Sequence, residues 1–185
     1  MPLIIMAKAM SRSNKPKHGD RLIAFDQATR HTGFACFEGP DLRNYGLLEA
    51  SGKDSDARLD EMAVQMRDLI RRYNPKFIVF EGVLFQKSPN ALIMLANLQG
   101  ILRGICQERG CGYAVYAPTS WRSLIGLQQG KGITRDKLKE QAVQFVRAAY
   151  GIEVEEDVCE AICIGLAHLK KSGALPPLPD YKENI

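Results

Sequence analysis

No stretch of this sequence reaches the roughly 18 consecutive apolar residues that a membrane-spanning helix needs. The opening "PLIIMA" is too short for the apolar region of a secretory signal and lacks the expected cleavage context. Five cysteines (Cys36, Cys106, Cys111, Cys159, Cys163) form no Cys-x-x-Cys pair and have no histidines at metal-ligand spacing. That pattern excludes a zinc ribbon and a dithiol redox motif. The odd count without a signal reads as free thiols, most of them small core residues, in a reducing cytoplasm. There is no internal repeat. Neither sign of charge dominates: Lys plus Arg number 25 and Asp plus Glu 21, a formal charge of +4. Such a mild excess is compatible with a polyanionic partner and does not demand one.

What is present is an ordinary globular composition, 45% hydrophobic and 25% charged over 185 residues, enough for one domain with a real core. Residues 1–20 carry Lys8, Arg12, Lys15 and Lys17 with no acid before Asp20, and read as a flexible basic arm, inert or phosphate-contacting. Residues 21–172 hold all the periodic segments, and 173–185 form a Pro-rich tail. "RLIAFDQ" contains the short continuous apolar run of a strand buried on both faces. "TGFACFEG" and "LRNYGLLEA" follow across short polar turns, as in an antiparallel meander. From Ser55 the period becomes helical, with Leu59, Met62, Ala63, Met66, Leu69, Ile70 and Tyr73 on one stripe that Asn74-Pro75 ends.

"KFIVFEG" is a second buried strand. Ser88-Pro89 then opens a helix whose stripe is Ala91, Leu92, Leu95, Leu98, Leu102 and Ile105, widened by Ile93, Met94 and Ile101. That surplus suits a second layer or a partner subunit. "YAVYAP" is a strand, "TSWRSLIGL" a short helix, "QQGKG" a mobile basic loop, and "TRDKLKEQAVQFVRAAYG" an amphipathic helix closed by Gly151. A last helix spans "EEDVCEAICIGLAHLKK". The expected fold is therefore α/β, a central mixed five-stranded sheet flanked by helices, an order that fits the ribonuclease H-like arrangement.

Asp26 and Glu81 end the two most buried strands, where ligands of open α/β sheets sit. Asp157 and Glu160 are three apart and share a face of the last helix. That helix is apolar nearly all round, so its acids are hard to explain as solvated decoration; Glu153, Glu155 and Glu156 are covered by the N-terminal dipole. A carboxylate near a core is costly unless paired or metal-bound. Four of them suit hard divalent cations, two of which can drive phosphodiester hydrolysis.

In order and spacing these segments resemble the RuvC-type Holliday junction resolvases, including phage relatives, over roughly residues 21–170. "RLIAFDQATRHTGFA" is similar to the family's opening strand–turn–strand, with Asp26, Thr32 and Gly33 at its Asp and Thr-Gly. "FIVFEGVLFQKSPNALIMLANLQGIL" resembles the segment bearing the catalytic Glu, here Glu81. "DVCEAICIGLAH" resembles the closing acidic helix, with Asp157 and Glu160 on its last two acidic positions. Three departures stand out: Glu160 where Asp is usual, Gln27-Ala28 where the family has Pro-Gly, and Leu84 at a junction-stacking aromatic position, with Phe85 adjacent.

The resemblance implies a Mg²⁺-dependent endodeoxyribonuclease, two ions per site with Mn²⁺ as substitute, acting as a homodimer on four-way and other branched DNA by paired symmetric nicks. Asp26, Glu81, Asp157 and Glu160 would hold the metal. Lys87, Lys131, Arg135 and Lys137, with Leu84 and Phe85, would contact DNA. No membrane and no small-molecule cofactor is implied. Trp121 is read as core or loop anchoring rather than a stacking platform. An actin-like ATPase reading is disfavoured, because one domain cannot clamp a nucleotide and Ala28 stands where a phosphate-loop Gly would help. A non-catalytic junction binder, or a same-fold nuclease for RNA precursors or flaps, stays open.

Overall fold

A computed structural model describes residues 19–83 and 88–175. Three strands come first: β1 (Arg21–Asp26), β2 (His31–Glu38) and β3 (Asp41–Glu49). Helix α1 (Ser55–Tyr73), strand β4 (Phe77–Glu81), helix α2 (Pro89–Arg109) and strand β5 (Gly112–Tyr116) follow. Helices α3 (Pro118–Ile125), α4 (Arg135–Tyr150) and α5 (Glu156–Ser172) are the last elements among the described residues. The sheet order is β3-β2-β1-β4-β5, antiparallel through β3-β2-β1 and parallel through β1-β4-β5. This is the mixed five-stranded arrangement expected from the sequence. Among the described residues no helix is long and apolar enough to cross a membrane.

The continuous apolar runs of β1 and β4 are explained by two cores, one on each face. Leu22 and Ala24 of β1, Ala35 and Phe37 of β2, and Val79 of β4 point to a core built with α3, α4 and α5. The alternate residues Ile23, Phe25, Phe34, Cys36, Ile78 and Phe80 point to a core with α1 and α2. Period-two alternation thus feeds both faces, which is why neither strand shows a polar face.

Local chemistry sets the helix ends. Asp54 caps α1 by accepting from the Ala57 amide at 2.8 Å, and Asn74 ends it in the left-handed conformation. Thr134 caps α4, and its Oγ1 accepts from the Lys137 amide at 3.3 Å. The stripe expected on α2 is only partly used: Leu98, Leu102, Ile105 and Cys106 enter the core, whereas Ala91 is exposed and Leu92 and Leu95 are half-buried outside both cores. Its first turns offer more apolar surface than the described residues cover.

Helix α5 is buried from Val158 through Leu169 and lies across β2 and β1. Two glycines permit that approach. A Cβ on Gly33 would stand 1.9 Å from the Asp157 carbonyl oxygen, and one on Gly165 would stand 2.3 Å from the Phe37 ring. Gly33 is also the ladder partner of Asp26. The glycine of the Thr-Gly pair therefore brings the first turn of α5 down onto the end of β1.

Candidate active site

The parallel register of β1 and β4 runs from Leu22↔Phe77 to Phe25↔Phe80, so Asp26 and Glu81 emerge side by side at the carboxyl ends of adjacent strands. Across from them, the close contact at Gly33 sets Asp157 and, one turn on, Glu160. Asp26, Asp157 and Glu160 each place a carboxylate oxygen within 4.8 Å of the others. Glu81 lies outside that tight group but close enough that its charge, like theirs, raises the Asp26 pKa.

The electrostatics follow from burial and like charge. Asp26 is held well above the usual carboxylate range, first by loss of solvation and then by the negative charges of Glu160, Glu81 and Asp157. Burial likewise raises Glu81, partly offset by a hydrogen bond from Trp121. A group of acids that resists full ionisation is an incomplete charge set, one that a positive ion would complete. All donors are carboxylate oxygens, the hard-ligand chemistry that Mg²⁺ and Mn²⁺ take. The residues present therefore fit a divalent ion.

Three side chains that sequence reasoning did not place here surround the acids. Trp121, fully buried on α3, donates from Nε1 to Glu81 Oε1 at 2.7 Å. Its neighbour Arg122 donates to Glu160 Oε1 at 2.9 Å in a pair whose side chains are 12% and 9% exposed. The Arg122 guanidinium also lies 4.5 Å from the Trp121 ring centroid, and its Nε has no partner among the described residues. From α4, Lys139 reaches Glu156 at 2.8 Å and Asp157 at 3.6 Å. Burial pulls the Lys139 pKa down, but Glu156, Asp157 and Glu160 outweigh it and the net shift is upward.

The turn after β1 is braced from both sides. Thr32, fully buried, accepts from the Ala28 amide at 3.0 Å and donates to the Ala28 carbonyl at 2.6 Å. The Gln27 carboxamide bonds the Glu81 backbone, accepting from its N–H at 3.2 Å and donating to its C=O at 2.5 Å.

The expected DNA contacts divide. Lys131 in the loop before α4, and Arg135 and Lys137 in its first turn, are exposed and form no salt bridge among the described residues, and Arg135 is near enough to lower the Glu81 pKa. Leu84, Phe85 and Lys87 lie outside the described residues, as do the basic arm through residue 18 and the tail from residue 176.

The profile of the family described as "Crossover junction endodeoxyribonuclease RuvC" matches residues 22–168. The chain belongs to the RuvC family. Its curated relatives include the RuvC crossover junction endodeoxyribonuclease of Akkermansia muciniphila, 28% identical over 156 residues covering 80% of this chain and 90% of that protein. The RuvC of Dictyoglomus turgidum is 22% identical, covering 81% and 96%. Among solved structures, Thermus thermophilus RuvC in complex with a Holliday junction substrate superposes with a TM-score of 0.66 at 16% identity, covering 85% of this chain and 99% of that one. The yeast mitochondrial Holliday junction resolvase gives 0.57 at 11% identity, covering 88% and 83%. At these identities the two structures speak for the fold, and the RuvC profile match for the family.

Proposed function

We propose that this RuvC-family chain is a metal-dependent endodeoxyribonuclease that resolves four-way DNA junctions by nicking two symmetry-related strands. The observation that carries the reading is the convergence of Asp26, Asp157 and Glu160 within 4.8 Å, with Glu81 on the adjacent strand. Asp26, Asp157, Glu160 and Glu81 would hold two Mg²⁺ ions, for which Mn²⁺ substitutes. When bound, such ions supply Lewis acidity to the phosphodiester and lower the pKa of the attacking water. Trp121 and Arg122 orient one oxygen each of Glu81 and Glu160, leaving the second oxygens for the site. Lys139 balances the charge of Asp157. Lys87, Lys131, Arg135 and Lys137 contact backbone phosphates on the approach, and Leu84 with its neighbour Phe85 stands at the family's junction-stacking position.

Paired nicking calls for two sites, and we infer that two copies of the chain provide them. Support comes from α2, where Ile93 is 52% exposed and Leu92 and Leu95 join neither core. Light scattering checks this: a dimer that Ile93→Glu converts to an active-site-intact monomer is expected.

The decisive experiment offers a synthetic four-way junction, linear duplex, Y-fork and RNA hairpin to the protein with Mg²⁺ or Mn²⁺. Symmetric junction nicking that Asp26→Asn abolishes while binding persists is the expected result. Absence of metal-dependent cleavage of any branched DNA would overturn the reading, and preference for RNA or flaps would move it to another substrate.

A further inference from the structure

The Gln27 side chain sits where the β1–β4 ladder runs out. Paired residues of β1 and β4 end at Phe25↔Phe80, although Asp26 still pairs with Gly33 of β2 and Glu81 with Tyr116 of β5. Gln27 is 8% exposed, and its carboxamide meets both backbone groups of Glu81, as a peptide unit of a neighbouring strand would. The side chain thus supplies one more rung, made not by the backbone but by a residue adjacent in sequence to Asp26. Gln99 of α2 adds a second donor to the Glu81 carbonyl, at 3.1 Å. Together with Trp121 on Oε1, every polar group of Glu81 except Oε2 is engaged among the described residues.

We propose that Gln27 is a positioning residue that holds the Asp26 and Glu81 carboxylates at one fixed separation, so that both engage the same pair of divalent ions. The inference rests on the reading above that these acids are metal ligands. It follows from chemistry at this one position: a side chain with both an acceptor and a donor, at peptide spacing, is required to bridge an N–H and a C=O of the same residue. Pro, Ala or Met there would leave the Glu81 N–H and, but for Gln99, its carbonyl without partners. Misplacing a reacting group by about 1 Å costs on the order of 100-fold in rate. A loosened Glu81 should therefore slow the chemical step without weakening junction binding.

The test compares wild type with Gln27→Met, which conserves volume and removes the amide, and with Gln27→Asn, whose amide is too short to span the gap. Ile70→Val, in the core that the sheet shares with α1 and α2, serves as a stability control. Each is measured for thermal midpoint, for kcat and KM on a four-way junction, and for Mn²⁺ binding by calorimetry without DNA. The expected result is kcat lowered about tenfold or more with KM unchanged, and weaker binding of Mn²⁺ by the DNA-free protein. Ile70→Val should lower the midpoint and leave kcat and Mn²⁺ binding alone. If Gln27→Met does not fold, Gln27→Asn carries the same expectation. The proposal is overturned if a folded Gln27 variant keeps kcat and Mn²⁺ affinity within about twofold of wild type, a tolerance far below the loss expected for displacement. It is equally overturned if those losses merely track the thermal midpoint, as they would in a structural role. A wild type that neither binds Mn²⁺ nor cleaves junctions overturns the metal-ligand reading itself.

Discussion

Replacing Asp26 by Asn should make the metal-free protein more stable while destroying its activity. In the folded chain the Asp26 carboxyl loses solvation and faces three other acids, two of which place oxygens within 4.8 Å of its own. At an effective dielectric near 20, two unit charges at 4.8 Å repel by roughly 3.5 kcal/mol. Proton uptake by Asp26 relieves part of that cost, so the neutral isostere should gain about 1–2 kcal/mol, the size of a typical stabilising substitution. For a chain of this length that is a rise of about 2–8 °C in thermal midpoint. The sign with pH is defined. A folded pKa raised above the unfolded one favours the fold while the proton is present, and that contribution is lost as pH rises through the folded value. The advantage of Asn should therefore grow with pH and vanish below the ordinary carboxylate range. Addition of Mg²⁺ should reverse the ranking, raising the midpoint of wild type more than that of Asp26→Asn. The assay is calorimetric unfolding in chelator and in Mg²⁺ at several pH values, beside junction cleavage. An Asn variant that melts below wild type in chelator, or that gains as much from Mg²⁺ and still nicks junctions, would refute the reasoning.

Gly33→Ala should be severe, because the new Cβ would lie 1.9 Å from the Asp157 carbonyl oxygen and neither backbone can yield cheaply. A loss of about 1–3 kcal/mol in chemical denaturation, with cleavage abolished by displacement of Asp157, is expected; retained activity would show that α5 can shift without consequence. Glu160→Asp shortens the arm that Arg122 holds at 2.9 Å, leaving a buried guanidinium underbonded. It should cost roughly 1–3 kcal/mol of stability and most of the cleavage rate, read by denaturation and single-turnover nicking. His168 stacks on Phe77, bonds the Tyr116 hydroxyl through Nδ1, and is pushed down to about 4, first by burial and then by Lys171. Its folded pKa lies below the unfolded one, so the unfolded chain binds the extra proton and stability falls as pH drops from about 6.5 towards 4. The full effect is about 3 kcal/mol, and His168→Phe should flatten that acid limb in a pH series of unfolding midpoints.

Much of this architecture could be read from residue order, because hydrophobic period reports directly on which face an element buries. The runs Leu22–Phe25 and Ile78–Phe80 are apolar at every position, as two-sided burial demands, so acids immediately after them had to stand at sheet ends. The i, i+3 spacing of Asp157 and Glu160 gave a common face without needing the fold. The charges around the acids were less legible, since contacts such as Arg122 to Glu160 depend on how distant elements pack. One signal was available. Lys139 precedes Ala142 by three and Val146 by seven, on the buried stripe of α4, whereas Lys137 falls between stripe positions and is exposed. The helical period therefore favoured Lys139 as the lysine nearest the acids. Gln27 had no comparable signal, because its role exists only where β4 ends beside β1.

Trp121 is the sole tryptophan in the sequence, and its indole N–H is bonded to one of the four acids. Light at the red edge of tyrosine absorption excites this one indole apart from the six tyrosines, so its emission reports on one carboxylate. Any event that withdraws electron density from Glu81, or repels it toward the indole, should change the intensity or wavelength of that emission. Ion titrations, stopped-flow mixing and junction docking can then be followed on the unlabelled protein, with the dye already seated in the wall of the site.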